Sequence, residues 1–112
     1  FDAASGEQET LALFKEHPDI DTLVCVTDTI ASGASRALRT LKKKVPRDVQ
    51  LSGFGDSTVS EVLYPTLTTV HLYYEKAGSS AAAMLLEHIA SPEEPVNEMK
   101  FSYEIKIRES TR

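Results

Sequence analysis

Residues 22–26, Thr-Leu-Val-Cys-Val, are apolar at both odd and even positions. A strand with one wet face alternates, whereas a strand apolar on both parities needs cover on both faces, as in a parallel sheet between helices. The flanking segments supply helical patterns. Ser5-Gly6-Glu7-Gln8 reads as a capping box opening a first helix, which His17-Pro18 ends. After the strand, Thr27-Asp28-Thr29 turns the chain into a helix to about Lys43, with Asp28 as its expected N-cap. Ile30, Ala34, Leu38 and Leu41 form its inward stripe.

The alternation continues to the end of the chain. Val49–Phe54 reads as a second strand and Ser57–Leu63 as a short helix stopped by Tyr64-Pro65. Leu67–Leu72 is a third strand, and Glu75–Ile89 a helix whose Gly78, Ala81, Ala82 and Ala83 keep it thin. Ser91-Pro92-Glu93-Glu94-Pro95 is a solvated acidic loop. Met99, Phe101, Tyr103, Ile105 and Ile107 alternate with polar residues, giving a last strand with one buried face. The order predicts an α/β fold with a mostly parallel sheet flanked by helices. Ligands of such sheets bind beyond the carboxyl ends of the strands. Here those ends are Val26-Thr27-Asp28 and Phe54-Gly55-Asp56.

The 112 residues fit one domain and carry 12 basic against 17 acidic side chains, a formal charge of −5. That balance argues against a nucleic-acid surface on this segment. A single cysteine excludes an internal disulfide framework. No apolar run spans a membrane, and the N-terminus shows neither a signal-peptide pattern nor an initiator Met.

Chemistry is weakly signalled. His17, His71, His88 and Cys25 share no metal-ligand spacing, and Cys25 reads as a packed core thiol. Gly53-Phe54-Gly55-Asp56 has two glycines of a phosphate loop but no Lys-Ser/Thr pair; a tight turn leaving the strand explains it as well. Asp28 and Asp56 are candidate paired carboxylates, although an N-cap accounts for Asp28. The basic run Arg36, Arg39, Lys42, Lys43, Lys44 and Arg47 reads as a solvated helix face. No nucleophile–base pair, metal set or cofactor motif emerges, so the chain reads as a binding module and not an enzyme.

Five segments in order resemble the lactose/galactose repressor family of bacterial regulators. The run from His17 through Thr27-Asp28-Thr29-Ile30-Ala31-Ser32-Gly33 is similar to the family's strand and Asn-Asp-x-x-Ala-x-Gly helix start. Val45-Pro46-Arg47-Asp48-Val49 through Gly53-Phe54-Gly55-Asp56 resembles its Val-Pro-x-Asp segment and Gly-Phe turn. Pro65–Val70, the Gly78–Ile89 helix and Arg108-Glu109-Ser110-Thr111 complete the match.

The resemblance implies a periplasmic-binding-protein-like fold of type I, present as a partial domain. Residues 1–112 would be the C-terminal portion of a sugar-binding and dimerising domain, with the DNA-reading helix-turn-helix elsewhere. It implies a cytoplasmic, sugar-responsive repressor acting as a homodimer on operator DNA; the alternative is a transport solute-binding protein of the same fold. Effector contacts are expected at Thr27, Asp28, Gly55 and Asp56, and dimer contacts at Ser32, Ser35, Arg36, Val59, Val62 and Leu63. Two positions depart from the family pattern: Thr27 replaces a frequent Asn, and Gly55 replaces an acid. A free N–H at Gly55 would suit an anionic effector such as a sugar phosphate. The Glu75–Ile89 helix, without its family partners, is expected to be exposed and to promote association or swapping.

Overall fold

Asp2, not Ser5, starts the first helix. In a computed structural model describing residues 1–112, Asp2 Oδ1 accepts from the Ser5 N–H at 2.7 Å and opens α1 (Ala3–Glu16). The Ser5 hydroxyl would cap only a helix beginning later; an acid three residues before Ser5 serves the same donors one turn earlier. β1 (Thr22–Val24) follows, then α2 (Asp28–Thr40), β2 (Gln50–Ser52), α3 (Thr58–Val62), β3 (Thr69–Leu72), α4 (Tyr74–Ala90) and β4 (Tyr103–Lys106). All eight elements stand in the expected order.

The chain divides into two compact units: Phe1–His71 with Glu104–Arg112, and Leu72–Tyr103. In the first, β1 and β2 pair in parallel, Thr22 opposite Gln50 and Val24 opposite Ser52. A parallel bridge from Ser52 to Thr68 joins β2 to the start of β3, extended by Gly53 N–H to Thr68 O and Gly55 N–H to Val70 O, both 2.9 Å. β4 neighbours β3 in a second two-stranded sheet. Phe14 of α1, Ala31, Ala34 and Leu38 of α2, and Val49, Leu51 and Leu67 form the core. Ala34 and Leu38 of the predicted α2 stripe pack in this core, whereas Ile30 is half-buried outside it and Leu41 lies beyond the helix end, partly exposed. α1 and α2 touch so closely at Gly33 that a β-carbon there would collide with the Ala3 carbonyl.

The C-terminal residues act as a wedge. Ser110 N–H donates to Thr66 O and Ser110 O accepts from Leu51 N–H, both at 2.9 Å. Its hydroxyl donates to Leu51 O at 2.5 Å and accepts from Thr68 N–H at 2.8 Å. One buried residue thus fills the splay between β2 and the approach to β3, satisfying backbone groups that the sheet leaves open.

Two expectations are corrected. Leu23 and Cys25 of the first strand region pack on the core, but Val24 is 80% and Val26 63% exposed, so only one face is covered. In the last strand Tyr103, Ile105 and Ile107 are exposed, while Lys106 and Arg108 are half-buried. Periodicity identifies an apolar face; it does not supply the layer that covers it. In the second unit, α4 has no buried residue, and Leu85, Leu86 and Ile89 are exposed, in keeping with the exposure that the family resemblance implies for this helix.

Candidate functional site

The strand ends meet at Asp28. Its N–H donates to Phe54 O at 3.2 Å, tying the end of β1 to that of β2. The helix cap is not Asp28 but Thr27, whose Oγ1 accepts from Ile30 N–H at 3.1 Å. Asp28 stands one residue further in, at the first helical position, and its carboxylate turns inward. Oδ1 accepts from Thr69 Oγ1 at 2.6 Å; Oδ2 accepts from Ser57 N–H at 2.7 Å and from Ser57 Oγ at 3.0 Å. A buried carboxylate is tolerable only when hydrogen-bonded in this way. Gly53 lies directly against it: a β-carbon would strike Asp28 Oδ1 and press on Leu67.

The turn after β2 is built from two residues of positive φ, Gly55 at 122° and Asp56 at 51°. Asp tolerates the left-handed region better than most side chains, and Gly55 needs it. Asp56 N–H reaches Thr69 Oγ1 at 3.3 Å. Its Oδ1 receives Arg108 Nη2 at 2.7 Å and the Ser60 hydroxyl at 3.3 Å; Oδ2 sits 2.9 Å from His71 Nδ1. Desolvation raises the Asp56 pKa, but the Arg108 and His71 contacts, the Arg108 charge and Ser60 outweigh it and hold it below the ordinary value. Arg108 also donates from Nη1 to Ser60 Oγ and to Leu67 O, each at 3.0 Å. Both carboxylates take their hydrogen bonds from the protein, which suits a rigid wall rather than proton transfer.

Gly55 contradicts one expectation. Its N–H is not free for an anion; it is committed to Val70 O in the β2–β3 pairing. The nearby open hollow of ≈ 550 Å³, lined by Val24, Val26, Phe54, Val70 and Ile105 among others, is the uncovered sheet face and carries no charged group. Polar ligands need convergent donors and acceptors, which this hollow does not offer.

Residues 2–111 match the family described as a periplasmic binding protein-like domain. The chain belongs to the periplasmic binding protein-like domain family. The proteins it resembles include transcriptional regulators, a ribose operon repressor and solved regulators of the LacI family. The transcriptional regulator MalR of Streptomyces coelicolor is 40% identical over 93 residues, 83% of this chain and 27% of the regulator. The structure of a regulator CelR–cellobiose complex superimposes with a TM-score of 0.93 at 30% identity, over 98% of this chain and 34% of that one. A regulator from Enterococcus faecium with bound ribose gives 0.85 at 27% identity, over 99% and 41% respectively. The chain spans roughly a quarter to a third of the length of the curated relatives it matches.

Within this periplasmic-binding-protein-like frame, the expected association residues separate into three groups. Val62 is 79% exposed on α3, Val59 is half-buried, and Leu63 leans on the core. On α2, Ser35 is buried, Ser32 is half-buried with its hydroxyl donating to Thr29 O, and Arg36 pairs with Glu7 at 3.1 Å. Ser35 therefore presents no surface of its own. Sequence reasoning missed Ser57, Thr69, His71, Ser110 and the role of Arg108. Arg108 and Ser110 lie in a recognised terminal motif, but nothing local says that they reach back more than 40 residues to Asp56 and Leu51.

Proposed function

We propose that this chain is the effector-binding and self-associating part of a sugar-responsive transcriptional repressor, cytoplasmic and acting on operator DNA through a domain outside these residues. The observation that carries the reading is the TM-score of 0.93 to a cellobiose-bound regulator across almost the whole chain. MalR at 40% identity and a ribose operon repressor at 29% point the same way, and favour it over a transport solute-binding protein.

In this reading the strand ends, Thr27, Asp28, Gly55 and Asp56, form one wall of the effector cleft. Asp28 and Asp56 act as its frame, since their oxygens are filled from within. With the Gly55 N–H also engaged, the effector is a neutral sugar rather than a sugar phosphate. Effector binding shifts a conformational equilibrium by no more than its differential affinity for the two states. Self-association uses the exposed α3 face around Val59 and Val62 and the Ser32–Arg36 side of α2.

Calorimetry of the intact protein carrying this chain, titrated with ribose, lactose and cellobiose, tests the reading. Saturable binding of one sugar, with release from operator DNA, is expected; a protein that binds none of them and no operator overturns it. A secretory signal in place of a helix-turn-helix upstream would favour the transport alternative.

A further inference from the structure

α3 has five residues, too few to be stable as an isolated helix, and its N-cap position Ser57 makes no side-chain cap bond. Its placement must come from tertiary contacts, among them Leu63 against the core and the Leu67 N–H donating to Ser60 O at 2.8 Å. Ser57 N–H is held by Asp28. Ser60 and Glu61 are held from the C-terminal segment by Arg108, whose Nη1 donates to Ser60 Oγ and whose Nη2 lies 3.5 Å from Glu61 Oε1. The same guanidinium grips Asp56 Oδ1 in the strand-end turn and Leu67 O at the approach to β3. Its own backbone is fixed, Arg108 N–H donating to Thr68 Oγ1 at 2.9 Å. A planar fork bonding three directions at once is a role Lys cannot reproduce.

From this arrangement we infer that Arg108 is a positioning residue: acting through Asp56 and Ser60, it locks the Gly53–Ser57 turn and α3 into one rigid piece. The effector wall and the exposed Val62 face then keep a fixed mutual geometry. The alternative is that the turn needs no clamp, because Asp at positive φ and the Gly55–Val70 bond hold it alone. The inference deepens the effector-wall reading and rests on it for its functional meaning, but the clamp itself is measurable with no ligand present.

The test is residue-resolved amide hydrogen exchange on the intact protein carrying this chain as wild type, Arg108→Met, Arg108→Lys, Asp56→Asn and Ser110→Ala. The reporters are the hydrogen-bonded amides of Gly55, Asp56, Ser57, Ser60 and Leu63. Asp56→Asn suits a left-handed backbone equally well but removes the charge that Arg108 holds. Ser110→Ala controls for general loosening, because it removes bonds to Leu51 and Thr68 without touching the turn. Arg108→Met and Asp56→Asn are expected to speed the reporters by about 10- to 100-fold relative to buried α2 amides such as Ala34 and Leu38, the ratio for losing a charged hydrogen bond. Arg108→Lys should recover only part of the protection, and Ser110→Ala should leave the reporter-to-core ratio unchanged. Reporters that move only in step with the core in Arg108→Met, Arg108→Lys and Asp56→Asn would overturn the inference. Should Arg108→Met fail to fold, Asp56→Asn and Arg108→Lys decide. Sugar calorimetry on the intact protein tests the effector reading separately, so either result stands without the other.

Discussion

Thr69 Oγ1 donates to Asp28 Oδ1 at 2.6 Å across 41 residues of sequence, and both side chains are buried. The same carboxylate takes the first N–H of the Ser57 turn. Three elements are joined at one group: the start of α2, the approach to α3 and the start of β3. Asp28→Ala strands the buried Thr69 hydroxyl and the part-buried Ser57 N–H and should cost about 1–3 kcal/mol. Asp28→Asn keeps the volume but turns an amide N–H toward a donor, for about 1–3 kcal/mol. Urea denaturation reads both; an unchanged midpoint in Asp28→Ala would refute the framework role.

Close approach and open space make opposite forecasts for two glycines. Gly33→Ala drives a β-carbon into the Ala3 carbonyl and the Glu7 backbone N of α1. Backbone atoms cannot step aside like side chains, so a loss of at least about 1–3 kcal/mol is expected. A β-carbon at Gly78 meets nothing within 4 Å, and Gly78→Ala should instead stabilise α4 by roughly 0.5–1 kcal/mol. Exchange rates of the α4 amides and the denaturation midpoint of Gly33→Ala give the two signs.

Of four carboxylates held below their ordinary values, Asp2, Asp48, Asp56 and Glu109, two owe this to an arginine and contribute to the acid limb of stability. The Arg47 side chain, with the Lys44 N–H at 2.8 Å, holds the Asp48 pKa down to about 2, against an ordinary 3.8. Asp56 is lowered too, the Arg108 and His71 contacts overcoming desolvation. A group whose folded pKa is depressed contributes stability above its unfolded value, and loses it as pH falls through the folded one. Stability should therefore fall between about pH 4 and pH 2. Arg108→Met and Asp48→Asn should each flatten that slope while lowering stability at pH 7. Denaturation midpoints at pH 7, 4 and 2.5 measure this; an unaltered acid slope in both variants would contradict the assignment.

Burial raises the Cys25 thiol to about 11 from 9.0. Little thiolate is then present at pH 8. An aromatic disulfide reagent should react with the folded chain at least about tenfold more slowly than with the urea-unfolded chain, the greater nucleophilicity of a high-pKa thiolate offsetting part of the loss. Comparable rates in the two states would place Cys25 outside the packed layer.

On α3 Val62 stands exposed, one residue before a core-facing Leu63. If the proposed self-association uses this face, Val62→Asp should leave folding intact and lower the sedimentation coefficient of the intact protein from that of a dimer to that of a monomer. Leu63→Asp, by contrast, should unfold the region, because it buries a charge. A dimer that survives Val62→Asp would move the association face elsewhere.

Much of the site was legible in the sequence because its signals are local. Gly53-Phe54-Gly55-Asp56 announces a turn at a strand end, and the turn contains positive φ at Gly55 and Asp56. The helix–strand alternation predicts the element order that the structure shows. Thr27 and Asp28 are neighbours that can both cap a helix, and the pattern points to Asp28, the stronger capping residue. The choice falls to Thr27 because Asp28 is drawn inward by Thr69 and Ser57. Likewise the polar parity of the last strand reads as wet, yet Arg108 points inward because Asp56, Ser60 and Leu67 O offer it acceptors there.

The sequence by itself determined the α/β alternation, the apolar stripe of α2, the turn chemistry and the family, since each is written within a few residues or a short motif. Tertiary structure alone decided that Ser110 wedges β2 from β3, that Arg108 bonds Asp56 and Ser60, and that the carboxylates of Asp28 and Asp56 take their hydrogen bonds from within the protein. The reason is range. A helix or turn is selected by neighbours three or four positions away, whereas a buried ion pair is selected by whatever the fold brings within 3 Å from 40 or 50 residues distant.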